Sequence, residues 1–213
     1  MVSDPPCPHD LLWFNGPDAL TYVEPPPNWI NTASQPDRPV VVRRDLPDKQ
    51  GRIPVGIRGE KRHERMAAYL DVNAITRRLS PESLVHRRLW EHWAGLPSIR
   101  ALQTLARIAP LLNESGYRWG PTGSIAFSLA TGELVSHTNS DLDLVLRITQ
   151  PLQSQQAWYL QTIFDLANCQ LDVQIDTGYG AFSFEEWRRQ PPSLLLKTNT
   201  GPVTVICPWH PLQ

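Results

Sequence analysis

A chain of 213 residues with 41% hydrophobic content can bury a core for one large or two small domains. No apolar run reaches the ~18 residues needed to span a bilayer. The formal charge of −1 excludes the overall basicity of a non-specific nucleic-acid binder, though local patches remain open. Three scattered cysteines, Cys7, Cys169 and Cys207, form no Cys-x-x-Cys pair, which argues against structural zinc and for a reducing compartment. Residues 1–8 carry no basic-then-apolar leader, so a cytoplasmic location is expected.

Nine of the 21 prolines fall within residues 1–39, including Pro25-Pro26-Pro27, which excludes long helices there. His9 to Phe14 is the one strongly apolar piece of that stretch and predicts a short anchoring turn or strand. Pro39 to Arg44 reads as a strand, with Gly51 to Arg58 as its partner, Pro54 marking an edge or a bulge. A basic run, Arg58, Lys61, Arg62 and Arg65, enters Met66-Ala67-Ala68-Tyr69-Leu70, which predicts a helix. Residues 1–78 are thus expected to form a small α+β domain, with residues 79–213 as a second, catalytic one.

Ser80-Pro81-Glu82 is a helix start, with Ser80 at the N-cap and Pro81 at the first helical position. That helix carries Leu84, Leu89, Trp90 and Trp93 and is expected to stop at Gly95-Leu96-Pro97. A second helix, Ser98 to Asn113, repeats apolar residues at Leu102, Leu105, Ala106, Ala109 and Leu112. Tyr117-Arg118-Trp119 predicts a short strand, and Ile125 to Ala130 a short helix. Pro151 to Ala167 predicts a helix with Ala157, Leu160, Ile163 and Phe164 on one side. Phe184 to Trp187 reads as a short helix, and residues 194–206 as a closing hairpin.

Between these elements lies the stretch that bears chemistry. Gly120-Pro121-Thr122-Gly123-Ser124 is a glycine turn entering a helix, able to donate backbone N–H groups to phosphate. Ser140-Asp141-Leu142-Asp143-Leu144-Val145-Leu146 reads as a strand with two carboxylates on one face and leucines on the other. Two carboxylates sharing an open face repel, so a cation or a shared proton must compensate. Hard divalent ions such as magnesium prefer such oxygen ligands and bridge to phosphates. Leu171-Asp172-Val173-Gln174-Ile175-Asp176 alternates strictly, placing Asp172, Gln174 and Asp176 together on a polar face. Either aspartate can supply a third carboxylate.

Gly-Ser, then Asp-x-Asp, then a third apolar-flanked Asp resembles the nucleotidyltransferase superfamily typified by DNA polymerase β. More closely, the chain resembles the phosphoribosyl-dephospho-CoA transferases, the holo-acyl-carrier-protein synthases of bacterial malonate decarboxylase. His9–Trp13, Pro39–Arg44, Pro54–Gly59, Trp119–Ser124, Ser140–Leu144, Asp172–Ile175, Gly180–Phe182 and Leu195–Thr198 carry the resemblance along nearly the whole chain.

It implies an α+β fold, a small N-terminal α+β domain before a polymerase β-like domain with a mixed sheet flanked by helices. It also implies transfer of the 2′-(5″-phosphoribosyl)-3′-dephospho-CoA group from a triphosphoribosyl precursor to a serine of the decarboxylase's acyl-carrier subunit, with release of pyrophosphate. A nucleotidyltransferase with another protein or small-molecule acceptor, or a non-catalytic nucleotide- or carrier-binding module, are the alternatives.

On this reading Asp141 and Asp143 hold two Mg2+ ions, with Mn2+ as substitute. Asp172 serves the second ion and accepts the acceptor serine's proton, with Asp176 as runner-up. Gly123 and Ser124 hold the triphosphate. Lys197 either neutralises the leaving pyrophosphate or is a solvated strand-end lysine. Arg43, Arg44, Arg58, Arg62 and Arg65 either receive a dephospho-CoA phosphate or an acidic carrier, or form an ordinary charged face. Trp119 stacks on a base or belongs to the core; His137 is assigned nothing. No nucleic-acid polymer and no membrane is expected as a partner.

Overall fold

A computed structural model describes residues 5–30, 37–61, 63–93 and 99–211; the chain divides into two units, Met1–Ser80 and Pro81–Gln213. In the first, β1 (Leu11–Phe14), β2 (Leu20–Tyr22), β3 (Val40–Val42), β4 (Ile53–Arg58), β5 (Arg65–Leu70) and β6 (Ile75–Leu79) form one sheet. Its order is β2-β5-β4-β3-β1-β6, with every pairing antiparallel. Leu12, Phe14, Val40, Val42, Val55, Ile57, Ala68 and Leu70 make its core.

Two expectations change here. Met66 to Leu70 is strand, not helix: it pairs residue for residue with β4, from Ile57↔Met66 to Ile53↔Leu70. Ala68 and Leu70 are buried at period 2, so tertiary pairing overrides the helix propensity of Met, Ala and Leu. Pro54 lies in an interior strand rather than at an edge. Its carbonyl accepts from the Arg43 N–H at 2.9 Å, on the side where β3 has just ended, so the missing proline N–H interrupts no continuing ladder.

The second unit contains α1 (Pro81–His86), α2 (Arg100–Glu114), α3 (Gly123–Thr131), α4 (Ser154–Phe164) and α5 (Phe184–Arg188). Its strands are β7 (Arg118–Pro121), β8 (Leu142–Arg147), β9 (Leu171–Asp176), β10 (Ala181–Ser183), β11 (Leu194–Thr198) and β12 (Gly201–Val205). They form a mixed sheet ordered β12-β11-β10-β9-β8-β7, in which β8 and β9 run parallel and the other neighbours antiparallel. With helices flanking this sheet the chain is α+β.

The helix expected through residues 80–93 is shorter. α1 ends at His86, Arg88 takes a left-handed φ of +51°, and a 3-10 turn over Leu89–Trp93 follows. Its expected stop, residues 95–97, and the expected start of the next helix, Ser98, lie outside the described residues. On α2, Ile108 rather than Ala106 joins Leu102, Leu105, Ala109 and Leu112 in the core. An aromatic cluster of Phe164, Phe182, Phe184, Trp187 and Trp209 fixes α5 against the sheet.

Candidate active site

β7 delivers the glycine turn, and its two glycines do different work. A Cβ on Gly120 would overlap the Pro81 backbone, so Gly120 lets α1 lie directly on the strand and serves packing rather than phosphate. Thr122, itself buried, donates its N–H to the Asp143 carbonyl at 2.8 Å, extending β7's pairing with β8. Gly123 then opens α3 with φ +61°. A Cβ there would overlap the Asp143 Oδ2 atom, so the carboxylate lies against the glycine's α-carbon. Gly123 is exposed and Ser124 half-buried at the start of this nine-residue helix, the end where backbone N–H groups favour anions.

The parallel pairing of β8 and β9 brings the carboxylates together. Asp143 and Asp172 are register partners, about 4.8 Å apart across the ladder. Leu142, Leu144, Leu146, Val173 and Ile175 turn to the buried side, which fixes the face the aspartates occupy. Asp143 is half-buried and Asp172 exposed, while Asp141, half-buried, immediately precedes β8.

Asp176 is engaged elsewhere. It is the register partner of Arg147, whose Nη1 donates to its Oδ2 at 2.5 Å, and its Oδ1 accepts from the Gly178 N–H at 2.9 Å. Arg147 Nε also donates to Glu82 Oε1 on α1 at 3.1 Å. Asp176 therefore ties strands to helix, and Asp172 is the carboxylate placed beside Asp143.

Lys197 is exposed on β11 opposite Ala181, which itself faces Asp176. That puts it on the aspartate face but roughly 16 Å from Asp172 by strand spacing, outside the Asp143–Asp172 row. Trp119 is 3% exposed, with its indole N–H donated to Asn113 Oδ1 at 3.0 Å and its ring against Trp90, so it is a core residue of the second unit. His137 is exposed in a turn closed by Ser140.

Arg58 belongs to the N-terminal unit, where it is the register partner of Arg65; Arg43 pairs with Asp45 at 2.8 Å. Arg44 is half-buried in the same unit, and Arg62 lies outside the described residues. Two features were missed in the sequence, the Thr122 backbone contact and the Glu82–Arg147–Asp176 chain. Only the second left a signal: Arg147 is four residues after Asp143 and so shares its face.

Among the described residues no three His, Cys, Asp or Glu side chains stand together as a ready metal cage. The donors nevertheless fit magnesium in kind. They are hard oxygens, two of them in register beside a phosphate-favouring helix start, and magnesium commonly takes one or two carboxylates plus substrate phosphates rather than an all-protein cage.

Comparison with known proteins now bears on this geometry. The family model described as "Phosphoribosyl-dephospho-CoA transferase MdcG C-terminal domain" matches residues 88–208, and the corresponding N-terminal-domain model matches residues 7–81. A phosphoribosyl-dephospho-CoA transferase of Klebsiella pneumoniae (strain 342) is 42% identical over 211 residues, covering 98% of both chains. One of Pseudomonas putida (strain GB-1) is 43% identical over 204 residues, covering 96% of this chain and 95% of its own. No solved structure matches. With both of its units matched by that family's models and its relatives aligned almost end to end, this chain belongs to the phosphoribosyl-dephospho-CoA transferase family and is a transferase enzyme.

Proposed function

We propose that the chain transfers the 2′-(5″-phosphoribosyl)-3′-dephospho-CoA group from its triphosphoribosyl precursor to a serine of the acyl-carrier subunit of a malonate decarboxylase. The observation that carries this reading is the pairing of Asp143 with Asp172 beside Gly123. The serine Oγ forms a bond to the α-phosphorus, the bond from that phosphorus to the β-phosphate bridging oxygen breaks, and pyrophosphate leaves with the bonding pair. The exposed Asp172 carboxylate accepts the serine's proton. Gly123 and Ser124, at the start of α3, hold the triphosphate by backbone N–H and hydroxyl donors.

Asp141, Asp143 and Asp172 would hold Mg2+, two ions in the full reading. A metal held by these residues would supply charge neutralisation for the transfer. Removing Asp143 or Asp172 should therefore cost both metal affinity and transfer.

The deciding experiment incubates the protein with apo-carrier, triphosphoribosyl-dephospho-CoA and magnesium, then measures the carrier's intact mass. Gain of the phosphoribosyl-dephospho-CoA group on one serine is expected. An unchanged carrier would overturn the reading. In a parallel incubation with ATP as the sole donor, addition of only a nucleotide would point to a different nucleotidyl transfer.

A further inference from the structure

Away from the aspartates, the C-terminal unit has a cleft of about 360 Å³ where α1, the end of α2 and the start of β7 meet. Its polar lining is His86, Arg88, Asn113, Tyr117 and Arg118, with Glu82 as the one carboxylate. The five carry N–H or O–H donors. Arg118 is 77% exposed and reaches Glu82 only at 3.9 Å, whereas Arg147 holds Glu82 at 3.1 Å. Arg147 also serves Asp176 at 2.5 Å, so Arg118 offsets part of the Glu82 charge through a long, exposed contact that an anion in the cleft can displace.

Arg88 pairs with Glu91 at 2.5 Å, but both side chains are at least half exposed, so the pair is weak and readily exchanged. Asn113 accepts the Trp119 indole N–H through Oδ1, which leaves its amide NH2 as a donor. Burial pushes the Tyr117 phenol above its ordinary value, so it remains a protonated donor. A cleft lined by donors, with two guanidiniums among them, suits an acceptor-rich anion.

Its position relative to the aspartates gives that anion an identity. Arg118 begins the strand that Thr122 extends to Asp143, four residues or about 13 Å away. In a triphosphoribosyl-dephospho-CoA donor, two sugars separate the triphosphate from the diphosphate that leads to the pantetheine arm. We propose that this cleft binds the diphosphate of the donor's dephospho-CoA moiety, with Arg118 and Arg88 as its charge partners. The assignment rests on the donor named under Proposed function.

The test titrates the full chain and its Arg118→Ala, Arg88→Ala and doubly substituted variants with dephospho-CoA, ADP and adenosine by calorimetry. Each single substitution is expected to weaken dephospho-CoA and ADP about tenfold and to leave adenosine unaffected, with an unchanged melting temperature. Arg118→Lys should recover part of the loss, because it keeps the charge without the fork. Equal affinity of wild type and the double variant for dephospho-CoA would overturn the proposal, as would no binding of either diphosphate by wild type. Arg118-dependent ADP binding alongside an unmodified carrier would keep the diphosphate site and remove the carrier reaction instead.

Discussion

Gly123 and Asp143 occupy what would otherwise be each other's space, so neither residue can be changed without consequence for the other. Gly123→Ala must place a methyl into Asp143 Oδ2 and hold alanine at a left-handed φ. Transfer should fall at least ~100-fold, a size typical for a displaced charge-stabilising group. Combining Gly123→Ala with Asp143→Ala should add little to the loss from Asp143→Ala alone; full additivity in kcat/KM would separate the two residues.

A second residue-scale prediction concerns Asp48. Its hydrogen bond from the Arg52 side chain holds the carboxyl below its ordinary 3.8 despite opposing desolvation. A depressed folded-state value stabilises the fold above 3.8, and that contribution disappears as pH falls through the folded value. Asp48→Asn should therefore unfold at lower urea than wild type at pH 7, with the two midpoints converging well below pH 3.8.

Period-2 alternation made Asp141, Asp143, Asp172 and Asp176 legible as candidates. It could not choose between the last two, because both lie on β9's polar face. The register of β8 against β9 sets Asp172 beside Asp143 and Asp176 beside Arg147, and register depends on residues distant in sequence.

At the scale of elements, α1, β7, β8 and β9 are joined by the close approach at Gly120 and by the Glu82–Arg147–Asp176 chain. Arg147 and Asp176 are register partners, so their ion pair guards the same alignment that sets Asp143 opposite Asp172. Arg147→Met removes the cation shared by two largely buried carboxylates, which should cost about 3–5 kcal/mol in urea unfolding. A loss below ~1 kcal/mol would show that the pair is merely a surface contact.

β9, with its strict alternation, and the apolar-rich β8 and β11–β12 segments were legible from local pattern. β5 was not, because the Ala-rich Met66–Leu70 segment has helical propensity and only its pairing to β4 makes it a strand. The break after His86 was also hidden, since nothing in His86-Arg87-Arg88 forbids helix. Arg88 turns left-handed there, and two residues on Trp90 packs against Trp119.

Across the whole molecule the family likeness runs through both units, yet the aspartates, the glycine turn and the diphosphate cleft all belong to the second. Among the described residues no helix is long and apolar enough to cross a membrane. If the acidic row works by binding a divalent ion, chelation with EDTA should abolish transfer without moving the far-ultraviolet spectrum. Mg2+ or Mn2+ should restore it, and persistence of transfer in excess chelator would remove the metal from the mechanism.

The side-by-side run of β8 and β9 also sets an order of events in time. Antiparallel neighbours can close through a short turn, whereas these two must wait for residues 148–170, α4 included, to be laid down and folded back between them. A nascent chain that has already shaped its glycine turn and first aspartates still lacks their counterpart. The Asp143–Asp172 pair thus exists only once residues 148–170 have been made and folded back.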